Sequence, residues 1–370
     1  MESTRQNGSF GERMSGMKRR TFLASGVIGG ALCFGGCSRA GIREKVIRPK
    51  MIDFDPEILK VTVPKPSGGT MPMGEIGKTG IKVSKFTFGS HIPAGLIPYI
   101  KERREMIHAA FDYGVNIIDV YADQYEAMPG HLEGFNNTAL LSTMGGRTEK
   151  RNAEQEHEHI LKLFKRDHVD LVRMYSHNPS AANWPDWEVL FKLKEKGYIR
   201  AIGVPIHFIP ELDTILDAYP IDYVVFPYNF YHNIVYTGKF PGDYLPLAKK
   251  LRDKGVGVVT MKPFASEYFM PHILKAAKEM DPKNKISLPQ AMIRFIINSG
   301  LNPDTTMSGM WSLNDVYEAM TAFLNPKMTN DENRLLERVR KFAHLTESAC
   351  LPAHYRFLDQ WAPENHNRTV

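Results

Sequence analysis

The side chains able to do acid–base chemistry gather at the ends of short apolar runs. Asp119 closes Asn116-Ile117-Ile118-Asp119 and is followed at once by Tyr121 and Tyr125. His177 closes a run that begins Asp170-Leu171-Val172, and Lys262 closes Val258-Val259-Thr260-Met261. A carboxylate, a phenol, an amine and an imidazole brought together could hold and move a proton. The bland alternative for Asp119 is a strand-end carboxylate that hydrogen-bonds a loop. Other chemistry finds less support. His157 and His159 are two apart on a helical pattern and so point to different faces. Cys33, Cys37 and Cys350 include no CxxC pair and leave one cysteine in the body, too few for a disulfide framework or a metal centre. No metal site is expected. No GxGxxG turn follows any β-rich run, which removes the main support for an open dinucleotide-binding sheet.

The elements that must position these groups alternate regularly from Glu75 onward. β-rich runs stand at residues 85–89, 116–121, 139–144, 171–177, 201–205, 223–228, 256–262 and 305–309. Between them, residues 101–113, 149–166, 186–196 and 244–254 carry apolar side chains at i, i+3 and i+4, with Gly197 and Gly255 as helix stops. Eight βα units predict an α/β fold, a single-domain (β/α)₈ TIM barrel. The second unit is the weak one, because Pro129, Gly130 and Gly134 leave room for only a stunted helix. A last amphipathic segment, 330–345, packs outside the repeat.

The chain's formal charge of +6 is not a property of that barrel. Residues 1–50 carry ten Lys/Arg against three Glu, more than the whole excess, so the rest is close to neutral and no nucleic-acid partner is expected. Residues 1–37 read as an export signal: Lys18-Arg19-Arg20-Thr21-Phe22-Leu23 precedes an uncharged stretch from Ala24 to Gly36, too short for a stable span. The Arg pair with Phe22-Leu23 resembles a twin-arginine signal, which makes the export machinery a partner and the periplasm the destination. Phe34-Gly35-Gly36-Cys37 resembles a lipoprotein site, so a lipid tether at Cys37 stands beside simple cleavage or a retained anchor. Residues 38–73 then read as a linker, 74–345 as the barrel and 346–370 as a C-terminal tail.

Six pieces of the body, in order, resemble the aldo-keto reductase superfamily. Residues 74–84 resemble its opening hairpin; Tyr113-Gly114-Val115-Asn116-Ile117-Ile118-Asp119 resembles the second barrel strand; residues 170–177 resemble the fourth with its terminal His. Lys196-Gly197-Tyr198-Ile199-Arg200-Ala201-Ile202-Gly203, Pro227-Tyr228-Asn229 and Met261-Lys262-Pro263-Phe264 resemble the entries or ends of strands five, six and seven. The resemblance implies NAD(P)-linked hydride transfer to or from a small carbonyl or alcohol, performed by an Asp, Tyr, Lys, His tetrad at the barrel top. The Tyr is the general acid, the Lys lowers its pKa, and the His orients the carbonyl.

Asp119 and His177 stand in place. The Tyr position is Gln124, with Tyr125 one residue late and Tyr121 only two after the Asp; Tyr125 is taken as the acid, with Tyr121 as the other candidate. The Lys position is Met144, whose thioether carries no charge, and Lys262 could replace it or serve a cofactor phosphate. Asn229 and Lys262, together with Ser308, Gly309, Met310 and Ser312 ahead of a helix at 313–323, are the expected cofactor contacts, the helix start suiting a phosphate. The cofactor is NADP or NAD, since no Arg in that turn selects a 2′-phosphate. The lone Cys350 cannot hold the iron–sulfur cluster found in some family members. Two readings survive: an exported oxidoreductase, and a barrel of the same fold that has lost redox chemistry and only binds.

Overall fold

The computed structural model describes residues 63–67, 69–91, 102–148, 150–174, 186–206, 212–231, 234–236, 241–264, 270–283 and 285–350. All belong to the unit that begins at Val46. The leader, Cys37, His177 and the tail beyond 350 lie outside them. A hairpin, β1 (Met73–Glu75) antiparallel to β2 (Lys82–Ser84), comes first. The strands β3 (Phe86–Gly89), β4 (Ile117–Val120), β5 (Leu140–Gly145), β6 (Val169–Met174), β7 (Ile199–Pro205) and β8 (Tyr223–Pro227) follow. After a small hairpin of β9 (Ile234–Tyr236) and β10 (Pro241–Asp243) come β11 (Gly257–Met261) and β12 (Thr305–Gly309). Strands β3 to β8, then β11 and β12, pair in parallel and close on themselves. The chain is a (β/α)₈ barrel, as the alternation predicts.

Burial on both faces is why these strands read as nearly unbroken apolar runs. Every residue of β4, β6 and β8 is buried. Alternation sorts them: Ile117, Leu171, Ala201, Tyr223, Val225 and Val259 pack together inside the barrel, whereas Ile118, Val120, Val172, Ile202, Val224 and Phe226 pack outward toward the helices. The opening hairpin plugs the lower end with Ile76, Ile81 and Val83. It is pinned there by Asp304, whose carboxylate accepts from the Gly77 and Val258 amides, both at 3.0 Å.

The helices are α1 (Arg103–Asp112), the short α2 (Met128–His131), α3 (Ala153–Phe164), α4 (Trp187–Glu195), α5 (Leu212–Ala218) and α6 (Tyr244–Asp253). They continue with α7 (Met270–Met280), α8 (Leu288–Asn298), α9 (Leu313–Leu324) and α10 (Asn330–Cys350). Their ends follow local chemistry. Asn152 and Gln155 form a capping box at α3, which stops at Lys165 in a left-handed conformation with φ 53°. The stunted second unit appears as expected: one turn of helix, α2, with Pro at its start. The seventh unit carries two helices, because Asp281-Pro282 ends α7 and Ser287 caps α8 ahead of its own Pro289. A second apolar cluster, including Phe230, Ile273, Met292, Leu336 and Val339, seats α10 outside the barrel against α7 and α8.

Candidate active site

Asp119 is the inward-facing residue at the upper end of β4 and is fully buried. Its Oδ1 accepts from Ser142 Oγ at 2.7 Å and from Arg173 Nε at 2.9 Å, and its Oδ2 accepts from Arg173 Nη2 at 2.8 Å. This two-point pairing gives the carboxylate a fixed orientation. Arg173 comes from β6, one strand beyond Ser142, and is itself almost fully buried. Burial works against its charge, but Asp119 and then Tyr121 outweigh burial and hold its pKa above arginine's ordinary value.

One edge of the guanidinium serves Asp119, and its carbon lies over the ring of Tyr121. The Arg173 Cζ lies 4.6 Å from the centre of the Tyr121 ring. The imidazole of His91 approaches the same ring, with centroids 4.7 Å apart. Ser90 fixes the backbone between them. Its amide donates to the Asp119 carbonyl at 2.8 Å, and its Oγ accepts from the Tyr121 amide at 2.9 Å. Arg103 Nη2 in turn donates to the Ser90 carbonyl at 2.6 Å, and burial brings this arginine down to about 10. Tyr223 reaches the same centre from β8. Gly203 makes room for it, since a Cβ there would stand 2.4 Å from the Tyr223 ring. The Tyr223 hydroxyl lies near Ser142 without a hydrogen bond of good geometry, and burial pushes its phenol far up.

Tyr125 is placed differently from the acid expected of it. Its hydroxyl donates to the Met144 carbonyl and accepts from the Met144 amide, both at 3.1 Å. The side chain is buried, and burial pushes its phenol well above the usual tyrosine range. The proton is therefore committed to the β5 backbone, and the ring braces that strand. His177, the fourth expected catalytic residue, lies outside the described residues.

The expected cofactor contacts sit on the ends of β8, β11 and β12. Asn229 is buried and ties two strand ends together, its Nδ2 donating to the Lys262 carbonyl and its Oδ1 accepting from the Tyr231 amide, both at 2.9 Å. Lys262 holds a left-handed backbone, φ 56°, a conformation that costs an ordinary side chain about 1 kcal/mol. It is Arg173, not Lys262, that supplies the cation beside Asp119. Ser308 Oγ donates to the Gly309 carbonyl, and the Met310 side chain is wholly in the core. Ser312 caps α9 in a capping box with Asp315. The Asp315 carboxylate accepts from the Trp311 amide at 2.9 Å and the Ser312 amide at 3.0 Å. Burial raises the Asp315 pKa, against the pull of those amides. The donors expected to greet a phosphate are taken up by the turn's own carboxylate.

Sequence reasoning missed Arg173, Ser142, Tyr223 and Asp315. Arg173 did leave a signal, being one of two charges, with Asp170, inside an otherwise apolar strand. Asp315 left another, since Ser312-x-x-Asp315 has the spacing of a capping box.

The chain resembles known proteins on the same ground. The model of the Aldo/keto reductase family matches residues 100–341. The aldo-keto reductase YhdN of Bacillus subtilis is 28% identical over 199 residues, which are 48% of this chain and 59% of the relative, so the chain spans under two thirds of that relative's length. In fold it is similar to the holo form of aldo-keto reductase AKR11C1 from Bacillus halodurans, with TM-score 0.56, 17% identity, and 73% of this chain and 96% of that one covered. It is also similar to the thermostable aldo-keto reductase Tm1743 in complex with epalrestat, with TM-score 0.53, 17% identity, and coverage of 73% and 100%. With its family model spanning more than half of its length, the chain belongs to the aldo/keto reductase family.

Proposed function

We propose that the protein is an exported oxidoreductase that moves a hydride between a nicotinamide cofactor and a small carbonyl or alcohol. The supporting observation is the buried Asp119–Arg173 pair at the upper end of the barrel strands, set against the ring of a half-buried tyrosine. A fold that needed only packing would gain little by retaining it, because a buried ion pair offsets its own desolvation poorly.

A nicotinamide cofactor would supply or accept the hydride when bound. Asn229, Lys262 and Ser308 stand on the strand ends beside which it would lie. The turn before α9 suits some cofactors and not others. With Asp315 on the Trp311 and Ser312 amides, a phosphate monoester there would meet a carboxylate in place of donors. NAD, without a 2′-phosphate, is the better match. Within the site, Ser142 and Arg173 hold Asp119 in one orientation, while Ser90 and Arg103 fix the chain from Asp119 to Tyr121.

The leader with Arg19-Arg20 supports export of the folded protein to the periplasm, and Cys37 supports a lipid tether there. Replacing both arginines by Lys should leave the protein in the cytoplasmic fraction.

Quenching of tryptophan fluorescence by NADH or NADPH tests the central reading, followed by turnover on a panel of small aldehydes and ketones. A second reading, a barrel that binds without redox chemistry, draws on Met144 and on the committed hydroxyl of Tyr125. Folded protein that binds neither cofactor at millimolar concentration selects it.

A further inference from the structure

Three tyrosines surround the Asp119–Arg173 pair, and they differ in burial and in what the barrel asks of them. Tyr125 spends its hydroxyl on the Met144 backbone, and Tyr223 is sealed inside the barrel. Tyr121 is half-buried, lies past the end of β4 at the barrel mouth, and takes the Arg173 guanidinium against its ring. Met144 and Arg173 are directly paired neighbours on β5 and β6. A cation is thus present at this end of the barrel, but it arrives from the strand next to the one where it was sought.

We infer that Tyr121 is the proton donor of the reaction and that Arg173 is the positioning residue that stabilises its deprotonated form. The inference rests on the oxidoreductase reading above. In reduction, the Oη–H bond of Tyr121 breaks and its proton goes to the carbonyl oxygen. The carbonyl carbon takes a hydride, two electrons and a proton, from the reduced nicotinamide. The tyrosinate, held by the cation at its ring, then regains a proton from water.

The geometry supports this division of labour. Asp119 occupies the Nε and Nη2 edge of Arg173, which locks the guanidinium plane with its carbon 4.6 Å from the centre of the Tyr121 ring. Ser142 fills another lone pair of the carboxylate, so the pair cannot swing. Among the described residues, the charged and titratable groups near Tyr121 include Arg173 with its partner Asp119 and, beside the ring, His91; Tyr223 acts on Arg173 across the interior, and Arg103, which Asp123 influences, holds the Ser90 carbonyl. Of these, Arg173 places its cationic carbon over the ring, 4.6 Å from its centre, and a cation favours the ionised form of an acid.

The test is an ultraviolet tyrosinate titration of the full-length protein, alongside kcat against pH. The difference between wild type and Tyr121→Phe isolates the Tyr121 transition, which is expected below the main tyrosine transition near pH 10. Arg173→Gln should move it upward. Asp119→Asn, which frees the cation from its counter-ion, should move it downward and serves if the first variant does not fold. Tyr121→Phe should lower kcat at least about a hundredfold, with KM changed far less. Titration of Tyr121 with the other tyrosines in wild type, or a loss in Tyr125→Phe equal to that in Tyr121→Phe, would overturn the inference. An early, Arg173-dependent transition in protein that binds no nicotinamide would instead sink the oxidoreductase reading and leave the coupling standing.

Discussion

Met144 and Arg173 lie side by side in the parallel pairing of β5 and β6, and Arg173 reaches past that strand to grip Asp119 with two hydrogen bonds of 2.9 and 2.8 Å. Moving a charge one strand round a barrel costs little in backbone geometry, because inward-facing positions on neighbouring strands converge on one axis. It changes the head group, however, from a flexible ammonium to a planar fork that can pair on its edge and stack on its face at once.

The ion pair should matter to stability only when it is broken unevenly. Arg173→Met leaves Asp119 buried and unpaired and should cost about 3–5 kcal/mol, whereas Asp119→Leu/Arg173→Met should recover most of that loss. Urea denaturation of the two variants measures it. Equal losses would mean that the cost lies in packing.

Tyr125→Phe should separate structure from catalysis. Two partly buried backbone groups of Met144 lose their partner, so the thermal midpoint should fall by an amount equivalent to about 1–3 kcal/mol, with kcat near that of wild type. A large drop in kcat with unchanged stability would return the acid's role to Tyr125.

Cofactor choice should follow Asp315. Wild type is expected to bind NADH more tightly than NADPH. Asp315→Asn keeps an acceptor for the Trp311 and Ser312 amides while removing the charge, and should narrow the ratio about tenfold, a change of ~1.4 kcal/mol. Fluorescence titration with both cofactors reads the ratio, and tighter NADPH binding by wild type refutes the assignment.

His157 should make the fold acid-sensitive. It is buried, its Nε2 is 3.1 Å from the Tyr198 carbonyl, and burial lowers its pKa from 6.5. The unfolded chain therefore takes up a proton that the folded chain resists. Stability from this group is complete above about pH 6.5 and declines as pH falls toward the lowered value. His157→Gln retains a donor for the carbonyl, and should flatten the slope of unfolding free energy below about pH 6.5. An unchanged slope would mean that other groups govern it.

The amino-acid sequence determined the barrel, because short, nearly unbroken apolar runs and period-3.6 helices are local patterns that eight repeats reinforce. Predicted and observed strands agree to within two residues wherever both ends are described. It also determined where Asp119 lies, at the end of β4 and facing inward, since alternation along a strand fixes the face. Tertiary structure decided what Asp119 meets. Arg173 is 54 residues away along the chain and becomes its partner only when the barrel closes. Choosing between Tyr121 and Tyr125 likewise depended on a short loop whose path is set by Ser90, Arg103 and the Met144 backbone, none of which is local to it. The α9 turn falls between these cases. Its capping box is local and legible, but that the Asp315 carboxylate also takes the Trp311 amide, four residues away, depends on the path of the turn itself.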